Sequence, residues 1–136
     1  MTINEKQDEL ISDFELFDDW MDKYEQLIEM GAELPPMNDA LKTEANLVKG
    51  CQSQVWLDTE LKEAKLVYHA DADAQIPKGI ISMLVHLLSG HSPKEISEAD
   101  LYIIEKIGLQ QHLSPSRANG LASMLQRMKQ EALKAL

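Results

Sequence analysis

The chain has 136 residues, of which 44% are hydrophobic and 26% charged, a composition typical of one globular domain large enough to fold without disulfide bonds. Its net charge of −10 argues against a nucleic-acid partner, because a phosphate backbone would repel it. No stretch has the length of a membrane span or the features of a signal peptide, and there is one cysteine. We therefore expect a single domain over residues 1–136 that makes no membrane contact and works in the reducing cytoplasm.

The N-terminal part of the chain has the pattern of helices. Apolar residues recur at spacings of three and four over residues 12–30, which predicts one amphipathic helix there. Gly31 is suited to end this helix, and Pro35-Pro36 prevents its continuation. A short helix is predicted next, over residues 39–44.

Apolar and polar residues alternate in the middle of the chain. This alternation predicts antiparallel strands over residues 54–59 and 65–71, with a turn at residues 60–62 and a third, short strand at residues 46–49. The predicted fold class is therefore α+β, with Cys51 on the loop that leads into the sheet.

The second half of the chain predicts further helices. Their start and stop signals are Pro77 with Gly90, a capping box from Ser92 to Glu95, the segment 97–107 with Gly108, and Ser114-Pro115. The inner face predicted for the last helix consists of Ala118, Leu121, Ala122, Leu125 and Met128.

Cys51 is the only readily polarised nucleophile in the chain. A free cysteine is most often a small buried hydrophobe, but Gly50 before it and the polar run Gln52-Ser53-Gln54 after it are typical of a loop. One sulfur cannot by itself supply the thiolates of an iron–sulfur cluster or a structural zinc site. The chemistry that remains for it is to attack, to carry a group or to be oxidised.

A reactive thiol at neutral pH needs a lowered pKa, and Lys49, His112 and Arg117 are the candidate cations for this. His112 is also the candidate general base of a cysteine-dependent hydrolase, which would place it in hydrogen-bond contact with Cys51 beside an open pocket. The four histidines show no metal-binding spacing, so no metal is expected. Two further hypotheses are a cluster scaffold, which would need more ligands, and an interaction module with an inert core cysteine.

Several short motifs recur in a recognisable order along the chain. They are Leu34-Pro35, Gly50-Cys51-Gln52-Ser53-Gln54-Val55-Trp56, Asp73-Ala74, Lys78-Gly79, His112-Leu113-Ser114-Pro115-Ser116-Arg117 and Gly120-Leu121. With these motifs the sequence resembles the SufE-type sulfur acceptors of iron–sulfur cluster assembly over nearly its whole length. The resemblance implies a fold shared with the IscU-type scaffolds, in which a small three-stranded antiparallel sheet is flanked by helices.

The resemblance also implies a function. A pyridoxal-phosphate cysteine desulfurase of the SufS type would hold sulfur as a persulfide, and the Cys51 thiolate would take this sulfur. The transfer would stimulate the desulfurase, and the protein would then pass the sulfur to a SufBCD-type scaffold complex. The protein would then be a sulfur carrier without a cofactor, not an enzyme, and a monomer or weak homodimer. Cys51 matches the family's acceptor cysteine, and the supporting positions are Gly50, Gln52, Asp73, His112 and Arg117. The run after the cysteine favours the SufE branch over the related CsdE-type acceptors, which serve a different desulfurase.

Two expectations concern the positions of side chains. An accessible thiolate or persulfide is easily oxidised, so we expect Cys51 to be tucked against apolar side chains in the free protein and to swing out when the desulfurase docks. Arg117 would support the cysteine loop, belong to a docking surface or pair with a carboxylate. Pairing is favoured, because a cation near a helix N-terminus is poorly placed for the helix dipole.

Overall fold

The computed structural model describes residues 1–136 and contains seven helices and one antiparallel hairpin. The helices are α1 (Ile3–Glu15), α2 (Trp20–Ala32), α3 (Gln75–Leu88), α4 (Pro93–Glu98), α5 (Ile103–Lys106), α6 (Leu109–His112) and α7 (Pro115–Lys134), and the strands are β1 (Val55–Lys62) and β2 (Lys65–Ala72). A single 3-10 turn at Asp39–Leu41 replaces the short helix predicted over residues 39–44. None of the helices combines the length and the apolar character that a membrane span requires.

The α+β class is confirmed, but the sheet has two strands, so the prediction of three was wrong. Residues 46–49 form one isolated bridge, Leu47 to Trp56, in place of a strand. Two backbone hydrogen bonds flank this bridge, from Val48 N–H to Val55 O at 2.7 Å and from Leu57 N–H to Asn46 O at 2.8 Å. The segment cannot extend further, because a turn ends just before it and Gly50, with φ 91°, turns the chain just after it.

The hairpin turn lies at Glu63 and Ala64, not at residues 60–62 as predicted. Both turn residues have positive φ, 52° and 65°, the backbone that a two-residue hairpin turn needs. Residues 60–62 instead continue β1, whose last pair is Lys62 with Lys65. Glycine and asparagine normally mark such turns, and neither is present here, which explains the misplaced turn.

The helix predicted over residues 12–30 is two helices, separated at residues 16–19. The first begins at a capping box between Thr2 and Glu5, and the second at Asp19, whose side chain accepts a hydrogen bond from Met21 N–H at 2.9 Å. Phe14, at the end of α1, is fully buried. The apolar stripe runs through both helices, so spacing alone did not reveal the break.

A close contact between two glycines brings α2 against α3. A Cβ on Gly31 would lie 2.9 Å from Gly79 N, and a Cβ on Gly79 would overlap the carbonyl group of Leu27. Ser82 Oγ also donates a hydrogen bond to Met30 O at 2.7 Å. Helix α3, which has nine buried residues, is thereby held at the centre of the core.

The helix predicted over residues 97–107 was also wrong, since α4 ends at Glu98 and only the single turn of α5 follows. The intervening backbone bonds to the buried side chain of Gln7 in α1. Gln7 Nε2 donates to Asp100 O at 3.0 Å, and Gln7 Oε1 accepts from Ile103 N–H at 3.2 Å. A partner so distant in sequence supplies the bonds that a helix would have made, and local pattern cannot reveal it.

The other helix signals were correct. Helix α3 begins at Gln75, two residues before Pro77, and Gly90 follows its C-cap with φ 83°. The capping box at Ser92 opens α4, and Ser114 caps α7. The buried residues of α7 are Gly120, Leu121, Met124, Met128 and Ala132, so the predicted inner face was correct at Leu121 and Met128 and wrong at Ala122, which is exposed.

Candidate functional site

Cys51 lies on a loop that is held at its two ends. Val48 bonds to Val55 at the base, as described above, and Gln54 is fixed by Asp73. Gln54 N–H donates to Asp73 Oδ1 at 3.0 Å, and Asp73 N–H donates back to Gln54 O at 3.1 Å. Between these ends, residues 49–53 make no backbone–backbone hydrogen bond. The loop can therefore move without breaking secondary structure.

The thiol of Cys51 is partly buried and packs against the hydrophobic core. Its hydrogen-bond partner is the carbonyl oxygen of Gly120 in α7, to which Sγ donates over 3.7 Å. Burial raises the pKa of the Cys51 thiol. In this closed position the sulfur is protonated at neutral pH and poorly nucleophilic.

A cavity of about 100 Å³ adjoins the sulfur. It lies between the cysteine loop, the start of α3 and the first half of α7. The residues that line it are Cys51, Gln52, Ser53, Pro77, Ile80, Ser116, Arg117, Gly120 and Met124. Because a water molecule occupies about 30 Å³ in the liquid, the cavity has room for an additional sulfur atom on Cys51.

Arg117 lies at this cavity, in the first turn of α7. The expected pairing with a carboxylate was wrong: the Arg117 side chain is exposed and makes no ion pair, whereas Arg127 in the same helix pairs with Glu131 at 3.2 Å. The guanidinium of Arg117 is therefore free to meet an anion at the mouth of the cavity.

His112 is not brought to the thiol. Its ring stacks on Trp20 with centroids 4.1 Å apart, its Nδ1 lies 2.9 Å from Gly108 O, and its own carbonyl accepts a hydrogen bond from Tyr24. The cysteine–histidine pair that a hydrolase would need is thus not formed in this structure. Lys49 is likewise directed elsewhere, toward Glu44 at 3.8 Å.

Gly50 and Gln52 both contribute to the loop. Gly50 has φ 91°, a conformation that L side chains rarely adopt, and a Cβ on it would collide with Ser123 Oγ of α7. Gln52 is exposed and lines the cavity. Arg117 lines the same cavity as Cys51, whereas Asp73 contacts the loop only at Gln54.

Sequence reasoning noted the motif Gly120-Leu121 but assigned no role to the middle of α7. Gly120 places its carbonyl against the thiol, and Ser123 faces Gly50. One signal was available for Gly120, because a glycine inside a helical pattern costs about 1 kcal/mol relative to alanine and so indicates a packing reason. No comparable signal marks Ser123.

The fold and the site define a small α+β protein that carries one half-buried loop thiol beside a cavity. The family described as SufE, Fe-S metabolism associated domain, matches residues 8–132. The chain therefore belongs to the SufE family, whose members transfer sulfur in iron–sulfur metabolism.

Individual relatives agree with this assignment. An uncharacterized SufE-like protein of Rhizobium meliloti is 42% identical over 130 residues, which cover 92% of this chain and 93% of that protein. One from Synechocystis is 40% identical over 124 residues, covering 91% and 78%. SufE-like protein 1, chloroplastic/mitochondrial, of Arabidopsis thaliana is 41% identical over 129 residues, but these cover 94% of this chain and only 35% of that protein.

A solved structure supports the fold. The solution structure of a hypothetical protein from Thermus thermophilus superimposes with a TM-score of 0.78, and the match covers 96% of this chain and 95% of that one. The sequence identity is 23%, so this likeness concerns the fold alone.

Proposed function

We propose that the protein accepts sulfane sulfur on Cys51 from a SufS-type cysteine desulfurase, stimulates that enzyme, and delivers the sulfur to a SufBCD-type scaffold complex. The observation that carries this proposal is the loop of residues 49–53, which has fixed ends, no internal backbone bonds and a sheltered thiol at its centre. Membership of a sulfur-transfer family supports the same conclusion.

The transfer step needs one thiolate and no cofactor on this chain. The Cys51 thiolate attacks the terminal sulfur of the protonated persulfide on the desulfurase cysteine. A new sulfur–sulfur bond forms on Cys51, the old one breaks, and the desulfurase cysteine leaves as a thiolate. The two sides balance without an external oxidant or reductant, and the proton stays on the transferred sulfur. A second thiol nearby would expel this sulfur and close a disulfide, and the chain has no second cysteine.

The closed loop provides protection between transfers. Burial raises the pKa of Cys51, so the tucked thiol resists oxidation and does not react prematurely. Docking of the desulfurase would draw the loop outward and hydrate the sulfur, which would allow it to ionise. Arg117 at the cavity would then stabilise the thiolate or the persulfide anion. The bond of Val48 to Val55 and the bonds of Gln54 to Asp73 would keep the loop ends in place while its centre moves.

We further propose that the protein is a carrier and activator that forms no product without its partner, as a monomer or weak homodimer in the cytoplasm. A CsdE-type acceptor would carry out the same transfer but would take its sulfur from a different desulfurase. The run Gln52-Ser53-Gln54 next to the thiol favours the SufE branch.

The test is sulfide release from free cysteine by a SufS-type desulfurase, with and without this protein, beside Cys51→Ser. Intact-mass analysis of the acceptor should show an adduct of about 32 Da, one sulfur atom, on the wild type only. Loss of both stimulation and adduct in the variant is the expected result. Stimulation that survives Cys51→Ser would instead indicate an allosteric activator. A response only to the different desulfurase that CsdE-type acceptors serve would assign the protein to that branch.

A further inference from the structure

One face of α7 follows the cysteine segment along its length. Gly120, Ser123, Arg127 and Glu131 recur at spacings of three and four, so they lie on the same side of the helix. As described above, the first of these contacts the thiol and the second faces Gly50. The contacts of Arg127 extend the same face to the residues that precede the loop.

The guanidinium of Arg127 binds two backbone carbonyls in that preceding segment. Its Nη2 donates to Ala45 O at 2.8 Å and its Nη1 to Leu47 O at 3.3 Å. The arginine guanidinium carries five donors in a rigid planar arrangement, so it can reach two acceptors at once. Since Asn46 and Val48 bond to β1 on the other side of the segment, Arg127 binds its outer edge.

A neighbouring carboxylate fixes the orientation of the guanidinium. Arg127 Nε donates to Glu131 Oε1 at 3.2 Å, and the other carboxylate oxygen lies 3.5 Å from Thr59 Oγ1 in β1. Both charged side chains are largely shielded, with 23% and 19% of their side-chain surface exposed. Shielded charge-assisted bonds of this kind hold a geometry more firmly than exposed ion pairs do.

We propose that Arg127 is a positioning residue for Cys51, because it immobilises residues 45–47 and so confines loop movement to residues 49–53. Without it, the carbonyls of Ala45 and Leu47 lose their shared partner, and the segment before the loop keeps its two bonds to β1 and the local bonds of Asn46 and Leu47 to residues 41–44. None of these bonds ties the segment to α7, so motion can spread from the loop back along residues 45–48. The thiol would then spend less time against Gly120. The role in sulfur transfer rests on the function proposed above, whereas the effect on thiol position does not.

The experiment measures the rate at which an uncharged thiol reagent modifies Cys51 in the folded protein. The variant is Arg127→Gln, and the matched control is Lys129→Gln. Lys129 lies on the opposite side of α7 and also donates to a loop carbonyl, that of Ala99. We expect Arg127→Gln to raise the modification rate about 5- to 10-fold, the factor that corresponds to the net contribution of one ordinary hydrogen bond, and Lys129→Gln to leave it unchanged. Arg127→Lys keeps the positive charge but lacks the rigid planar arrangement of donors, so it should fall between wild type and Arg127→Gln.

The idea is wrong if Arg127→Gln reacts at the wild-type rate, or if Lys129→Gln accelerates modification equally, since the effect would then be general loosening. If Arg127→Gln does not fold, Arg127→Lys decides on the same criterion. In the desulfurase assay, Arg127→Gln should lower the acceptor concentration needed for half-maximal stimulation, because more of the free protein has an open loop, and it should change the maximal rate less. Thiol modification requires no desulfurase, so a wild type that accepts no sulfur would refute the proposed function while this test still decides on Arg127.

Discussion

Replacing Gly120 with alanine should separate the stability of the protein from the storage of sulfur on Cys51. Gly120 lies inside α7, where alanine is more favourable than glycine by about 1 kcal/mol. The added Cβ would lie 3.5 Å from Cys51 Sγ and 4.0 Å from Cys51 Cα and Cβ, which are ordinary van der Waals distances. No steric penalty opposes the gain, so we expect the free energy of unfolding to rise by about 0.5–1 kcal/mol.

The same methyl group should impair retention of the carried sulfur. It would lie 3.5 Å from Sγ at the wall of the cavity, so the outer sulfur of a persulfide, bonded about 2 Å from Sγ, could no longer be placed on the Gly120 side. The persulfide of the variant would be displaced toward solvent, where it is lost to oxidants and reductants. We therefore expect a several-fold shorter persulfide lifetime in a protein that is more stable than the wild type.

Both effects are measurable on the same samples. Urea unfolding with linear extrapolation gives the change in stability. For retention, Cys51 is loaded with a desulfurase and free cysteine, the desulfurase is removed, and the adduct is followed by intact mass. Asn119→Ala is the matched control, because this exposed neighbour gains helix propensity without a methyl group next to the thiol. The reasoning fails if Gly120→Ala is destabilised, or if its persulfide decays at the rate of Asn119→Ala.

Three further predictions rest on individual contacts in the structure. The rate of Cys51 modification should rise with pH, and the midpoint of this rise should lie above the midpoint of a free cysteine peptide, since burial raises the pKa of the Cys51 thiol. A midpoint at or below the peptide value would contradict the closed position. Gly79→Ala should lower the free energy of unfolding in urea by about 1–3 kcal/mol, because its Cβ would overlap the Leu27 carbonyl, and an unchanged or higher stability would show that α2 and α3 are not so close. Burial opposes ionisation of Asp71, but Lys42 at 3.0 Å, the Ala72 N–H and Lys78 at 3.4 Å together outweigh it and lower the pKa of that carboxyl. The stability gained from Asp71 is therefore present above about pH 4 and lost as the pH falls through the lowered pKa. The loss of unfolding free energy in Asp71→Asn should accordingly become smaller in acid. A loss that does not depend on pH would exclude this ion pair.

Local chemistry explains which parts of the structure were predictable. Proline and serine at helix starts act within one turn, so the beginnings of α4 and α7 were correct. The alternation in residues 54–59 and 65–71 identified the hairpin, because strand pairing buries alternate side chains. The cysteine loop was also predicted correctly, because the glycine and the polar run that indicate a loop are direct neighbours of the thiol in the sequence.

The errors arise where a distant group decides the local structure. Gln7 replaces helical hydrogen bonds near Asp100, and Arg127 binds the carbonyls of the segment that was expected to be a third strand. Arg117 is the opposite case, because here the tertiary fold does not supply the partner that the local sequence suggested. Its position in the helix suggested an acidic partner, but the fold places Arg117 at the thiol cavity, whose lining contains no carboxylate.

The few contacts that hold the loop closed determine how readily a partner can open it. The Sγ–H···O contact with Gly120 is a weak hydrogen bond, worth about 0.5–1 kcal/mol, and the partial burial of one small side chain adds about 1 kcal/mol. No backbone bond within residues 49–53 has to break. A total of about 1.5–2 kcal/mol corresponds to roughly 3–8% open loop in the free protein. A partner that binds only the open form would lose about 10- to 30-fold in affinity, which is a modest cost for a protein interface. In the free protein, the thiol stays sheltered in more than about nine-tenths of the molecules. The loop can therefore protect the sulfur and release it to a docked partner without any unfolding of the domain.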